Sequence, residues 1–125
     1  MLKVVKTSLS AAVVIGLTAI ASQASGQGAP NKAAFAPCSV CHAVTPKTNK
    51  IGPSLHQIVG RKVGTYPGYT YSPAMKAKGG VWTEAALDTY LTKPQAYVKG
   101  TKMAYPGQPD PAKRKAIIAY LKTLK

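Results

Sequence analysis

The sequence predicts an all-α fold, a small single domain of about four to five short helices joined by long loops. Three observations lead there. Helix-opening signals stand at Ser72-Pro73, Thr83, Pro94 and Asp110-Pro111, where a side-chain oxygen can cap the first turn or a proline can occupy it. No stretch shows the sustained alternation of a half-buried strand, and no internal repeat turns up. Ten prolines and eleven glycines in 125 residues break the remaining chain into loops.

The N-terminal stretch stands apart from the fold. Lys3 and Lys6 form a positive start, and Leu9 to Ala21 are apolar, small and branched. Ser22-Gln23-Ala24 then offers a small-x-small cleavage site. This is the pattern of a secretory signal over residues 1–24. The apolar run is short for a membrane span, which needs ~20 such residues. A retained N-terminal anchor is the other reading. Removal after Ala24 leaves residues 25–125 as one domain, about a hundred residues long. Its expected compartment is the periplasm, as a soluble or membrane-peripheral protein.

Along that domain, Ser25 to Pro30 form a polar, Gly-rich lead-in. Pro30 to Phe35 suit a short helix that ends before Pro37. His42 to Ile58 contain Pro46, Gly52 and Pro53 and read as loop, while Gly60 to Tyr71 form an irregular wall rich in Gly, Pro and Tyr. Ser72 caps a helix with Pro73 in its first position, and Gly79-Gly80 end it. Thr83 caps the next, whose Leu87, Tyr90 and Leu91 share one face. Pro94 starts a further turn through Tyr97. Asp110-Pro111 open the last and strongest helix, with Ile117, Leu121 and Leu124 spaced i, i+4 and i+7, and Tyr120 beside them.

Chemistry concentrates at Cys38-Ser39-Val40-Cys41-His42. A Cys-x-x-Cys pair followed directly by His is the attachment pattern of a c-type haem. Each thiol can join one vinyl group of a porphyrin, and the adjacent imidazole is then held where it can ligate iron. A zinc knuckle needs two more ligands, and only His56 remains among histidines and cysteines. A thioredoxin-like dithiol belongs at the start of a helix after a strand, within a βαβ unit that this chain lacks. A covalent haem would also supply the staple that so small a core often needs.

The second axial position decides function, because a thioether opposite imidazole raises the potential and an open position permits ligand or oxygen chemistry. Met75, Met103, His56 and several lysines are candidates. Met103 lies in a loop bounded by Gly100 and Gly107 and poor in aliphatic residues. Met75 sits in the Ser72 helix, where packing accounts for it. Position therefore favours Met103.

From Cys38 to its C-terminus the chain resembles a class I cytochrome c of the short mitochondrial and bacterial type. The shared stretches are Cys-x-x-Cys-His, Gly52-Pro53-x-Leu55-His56, Gly60-Arg61, Pro67-Gly68-Tyr69-x-Tyr71, Lys78-Gly79-x-x-Trp82, Tyr90-Leu91, Gly100-Thr101-Lys102-Met103 and Ile118-Ala119-Tyr120-Leu121. The resemblance implies the cytochrome c fold around one covalent haem c, with His42 and Met103 as axial iron ligands. It implies that the Pro53 carbonyl accepts from the His42 ring, and that Tyr71 and Trp82 hydrogen-bond a haem propionate with Arg61 nearby. Tyr90 is implied to line the Met103 side and to donate to its sulfur. His56 matches a surface position that is not a ligand.

Departures from the family pattern accompany the match. Met75 stands where mitochondrial relatives place an Asn in a buried polar network. Asn31 replaces a helix-contact glycine, leaving Phe35 as the anchor of that segment. Pro37, Gln95, Ala96 and Pro109-Asp110 occupy positions where docking lysines are usual.

The full chain carries +14. Without Lys3 and Lys6, fifteen basic side chains face Glu84, Asp88 and Asp110, leaving +12. Such a charge asks for an anionic partner. Nucleic acid is excluded by the exported location and the scatter of the lysines. The expected role is that of a monomeric one-electron carrier, not an enzyme. It would run in a respiratory chain from a quinol-oxidising cytochrome complex to a terminal oxidase, photosynthetic centre or reductase. Docking would be transient, on acidic surfaces of such complexes (quinol:cytochrome c oxidoreductase, cytochrome c oxidase or similar), with Lys93, Lys99 and Lys102 biasing the encounter. A peroxidase-like or gas-binding haem protein, a non-haem thiol module and a fixed subunit of a larger enzyme are the alternatives.

Overall fold

The computed structural model describes residues 32–125. The expected signal segment, the Gly-rich lead-in, Pro30 and Asn31 lie outside the described residues. Within them the chain forms a 3₁₀ helix (Lys32–Phe35) and four α-helices: α1 (Pro73–Lys78), α2 (Glu84–Thr92), α3 (Pro94–Tyr97) and α4 (Pro111–Leu121). Among the described residues there is no strand, only an isolated antiparallel bridge between Lys62 and Val81. No helix there is long and apolar enough to cross a membrane.

Each helix starts where its cap stands. The Ser72 hydroxyl accepts from Met75 N–H at 3.1 Å, and Thr83 accepts from Ala86 N–H at 3.0 Å. Asp110 accepts from Ala112 N–H at 2.9 Å, and its charge suits the positive end of α4. Helix α1 stops at Gly79, whose φ of 67° ends the helical run. The last helix ends one turn sooner than the apolar spacing suggests. Leu124 lies beyond it, half-buried, and its carbonyl accepts from Gln57 N–H at 2.8 Å. Ile118 joins Ile117 and Leu121 in the core instead.

The first described element, the 3₁₀ turn Lys32–Phe35, ends ahead of Pro37. It packs on α4, which also packs on α2, and α2 packs on α3. Phe35, only 4% exposed, meets the Tyr120 ring at 4.8 Å between centroids. Leu87, Tyr90 and Leu91 form the buried face of α2. Outside this core, Arg114 pairs with Asp88 at 2.8 Å and donates to the Gln108 and Pro109 carbonyls. That cluster fastens the turn into α4 onto α2.

The long loops are set by α3 and its surroundings. Pro94 is fully buried. Just beyond, Gly107 has φ of 110°, and a Cβ there would stand 3.1 Å from the Lys93 Cα and closer still to the Thr92 carbonyl. Only glycine fits so tight an approach. Gln108 N–H donates to the Leu91 carbonyl at 2.8 Å, so the loop of Met103 returns to the α2–α3 junction.

Candidate haem site

Helical hydrogen bonding builds the first part of the site. Cys41 N–H and His42 N–H both donate to the Cys38 carbonyl, at 3.1 and 3.0 Å. One turn therefore carries both thiols and the imidazole to one cleft. Neither cysteine is in a disulfide, and both are partly buried. Burial, followed by the neighbouring Cys41, pushes the Cys38 thiol above its ordinary pKa.

The imidazole is seated with little freedom. His42 Nδ1 lies 2.7 Å from the Pro53 carbonyl. With Nδ1–H donating there, Nε2 keeps its lone pair, the tautomer a metal ligand requires. Burial lowers the ring's pKa, helped by the positive Lys50 and Arg61 and opposed by the Pro53 hydrogen bond. The balance favours the neutral ring, the form that can ligate a metal. Gly52 lies against its face: a Cβ at that position would come within 2.7 Å of Nδ1 and 2.9 Å of Nε2. Gly52 N–H is itself bound to the Cys41 carbonyl at 2.8 Å.

The cleft encloses about 1170 Å³, its solvent-open mouth included. Cys38, Cys41, His42, Pro53, Arg61, Tyr71, Trp82, Tyr90 and Met103 all line it, which brings together the residues the resemblance assigns to haem and iron. Met75 lines it too, but is buried in the hydrophobic core, whereas Met103 is less buried. His56 does not line it. Most of the lining is apolar, with two thiols and one unprotonated ring nitrogen at hand. This donor set and shape suit a large flat apolar group carrying an iron ion.

On one wall, Arg61 donates to the Ser54 carbonyl at 2.9 Å and to the His56 carbonyl, with its guanidinium 4.2 Å above the Tyr66 ring. The Tyr71 hydroxyl accepts from Tyr66 N–H at 3.1 Å. Trp82 is buried and tilted against Tyr90, their centroids 5.0 Å apart. A cation is therefore fixed beside two aromatic side chains with polar atoms, an arrangement able to receive carboxylates.

The Tyr90 hydroxyl differs from the sequence-based expectation. Its partner is Thr101 Oγ1, at 2.8 Å, rather than the Met103 sulfur. Thr101 Oγ1 also lies 3.3 Å from Met103 N–H and accepts from it. Burial raises the Tyr90 pKa, partly offset by the Thr101 bond. One of the two hydroxyls donates to the other. Thr101 was not singled out from the sequence, although a hydroxyl two residues before Met103 was its available signal.

The expected docking lysines stand in different states. Lys102 Nζ donates to the Thr70 carbonyl at 2.8 Å, tying the Met103 loop to the wall of residues 60–71. Lys93 and Lys99 are exposed.

Comparison with known proteins points in one direction. The family model described as cytochrome c matches residues 28–125. The chain is 56% identical over 88 residues to cytochrome c2 of Rhodopila globiformis, covering 70% of this chain and 83% of that protein. It is 37% identical over 123 residues to cytochrome c2 of Rhodomicrobium vannielii, covering 98% and 97%. Among solved structures, cytochrome cH from Methylobacterium extorquens superimposes with a TM-score of 0.71 at 45% identity, covering 78% of this chain and 99% of that one.

Proposed function

The chain belongs to the cytochrome c family, and from that premise we propose that it is a soluble one-electron carrier with His42 and Met103 as axial iron ligands. Family membership carries the coarser conclusions: the fold is that of cytochrome c, the cofactor is one covalent haem c, and the protein transfers electrons rather than catalysing a reaction. The observation that supports the ligand assignment is the His42–Pro53 hydrogen bond, made in the cleft that Met103 also lines. When bound, the haem supplies Fe(III)/Fe(II) cycling.

The chain's own residues have definable tasks in this reading. Cys38 and Cys41 hold the porphyrin through thioethers. Pro53 keeps the His42 ring in one tautomer and one orientation. Arg61, Tyr71 and Trp82 receive a propionate, the guanidinium offsetting its charge. Tyr90 and Thr101 close the space behind Met103, keeping water out so that little has to reorganise when the charge on iron changes.

The test is the visible spectrum of the processed protein, made with the c-haem maturation system, in both oxidation states. Low-spin bands plus the weak far-red absorption that reports an iron–methionine bond are expected. A high-spin ferric spectrum without that absorption would overturn the ligand assignment, and absence of haem would overturn the whole reading.

The export signal over residues 1–24 and a periplasmic location belong to the same proposal, as does exchange with acidic surfaces of quinol-oxidising and oxidase-type complexes. The net charge of +12 left after removal of residues 1–24 supports an anionic partner. Replacing Lys93, Lys99 and Lys102 together with glutamine is expected to slow association with such a complex roughly three- to tenfold at low ionic strength. Its salt dependence should flatten as well. Stopped-flow mixing over a salt series checks this, and wild-type rates at low salt would refute it.

A further inference from the structure

Residues 99–107 make a single backbone-to-backbone hydrogen bond among the described residues, from Thr101 N–H to the Val98 carbonyl at 3.0 Å. Side chains do the remaining work of holding this loop. Gln95 stands out among them. Its amide nitrogen lies 3.0 Å from the Thr101 carbonyl and 3.1 Å from the Met103 carbonyl. A side-chain amide carries two N–H donors, so each carbonyl receives one.

The base of this clamp is anchored in the core. Gln95 is the second residue of α3, between fully buried Pro94 and the turn that ends at Val98, itself 3% exposed. From that buried turn the amide reaches across to both residues flanking Lys102. From the other side, Thr101 Oγ1 accepts from Met103 N–H. The peptide units on both sides of the Met103 Cα are therefore gripped, one through N–H and the other through C=O.

We propose that Gln95 is a positioning residue for Met103, its amide fixing the backbone from which the thioether reaches iron. This rests on the reading of Met103 as an axial ligand. A thioether is a weak ligand that stays bound while the loop stays closed, so an external ligand enters at a rate set by how often the loop opens. Removing two hydrogen bonds that only the closed loop makes raises the open population. Gln95 touches neither thiol nor imidazole, and its side chain lies at the surface. Its effect should therefore be confined to the closed loop and vanish once an external ligand has opened it.

The experiment uses the ferric holoprotein, mixed with imidazole while the far-red band is followed. Gln95→Leu, which has no donor, should lose the band about tenfold faster than wild type. Gln95→Glu, with a carboxylate against two carbonyl oxygens, should be at least as fast. With the ferric protein saturated in imidazole, so that the loop is already open, the urea midpoint of both variants should match wild type. Wild-type exchange rates in both variants would overturn the proposal. So would a lower urea midpoint in the imidazole-saturated variants, which marks a structural role outside the closed loop. Met103→Ala separates the two readings. If it keeps the far-red band, the ligand assignment fails; if it loses the band while Gln95→Leu exchanges like wild type, only the positioning role fails.

Discussion

Replacing Met103 with alanine is expected to abolish the far-red band of the oxidised protein and to lower its reduction potential by roughly 0.2 V or more. The soft sulfur favours ferrous iron, and alanine offers no donor in its place. The fold should survive. Met103 is only partly buried, and the loop around it is held through Gln95, Lys102 and the Thr101 hydroxyl rather than through the methionine side chain. Cyanide and carbon monoxide should then bind without the delay that loop opening imposes. Spectroelectrochemistry with a carbon monoxide titration measures both effects. Retention of the band and potential would shift the ligand assignment to Met75, the other thioether lining the cleft.

Gly52→Ala is expected to cut the yield of mature haem protein several-fold and to destabilise what forms by about 2–4 kcal/mol. The new methyl group would overlap the His42 ring, lying 2.7 Å from Nδ1. Neither side has room to yield. The Gly52 backbone is bonded through N–H to Cys41 and through its carbonyl to Lys50 N–H at 3.0 Å, while the ring is bonded to Pro53. Relief requires turning the imidazole away and giving up the Nδ1–H bond that fixes its tautomer. Haem-stained yield, the oxidised spectrum and a urea titration of the surviving protein check the prediction. Values equal to wild type in all three would mean that the cradle accommodates a methyl group.

Local chemistry explains what was legible from residue order. A cap acts within three residues of itself, so Ser72, Thr83 and Asp110 mark their helices before any packing is considered. The apolar face of α2 repeats with the helical period and is buried as that period predicts. Leu124 shows the limit of this logic. Its spacing continues the α4 pattern, but the helix stops at Leu121 and the chain turns to meet Gln57. The periodicity holds no information about that distant partner.

Polar partners across the cleft were harder to read. Tyr90 and Thr101 are eleven residues apart, and the choice between a hydroxyl and a sulfur as partner depends on angstrom-scale placement of two loops. Gln95 carries no motif at all, and its amide becomes informative only when two carbonyls of an irregular loop come within reach. Lys102 likewise reads as a free surface charge until its ammonium is found on Thr70, 32 residues away.

Residue order by itself determined the short-range chemistry of this protein: thiols and imidazole on one turn, capped helices, and a basic chain with three acidic side chains. Those properties depend on neighbours within a turn or on composition, and both are written along the chain. Tertiary structure alone decided how His42 is cradled, what Tyr90 bonds to and which side chains hold the Met103 loop. Loops lack a hydrogen-bonding period, so their backbone groups find partners wherever the folded core brings them.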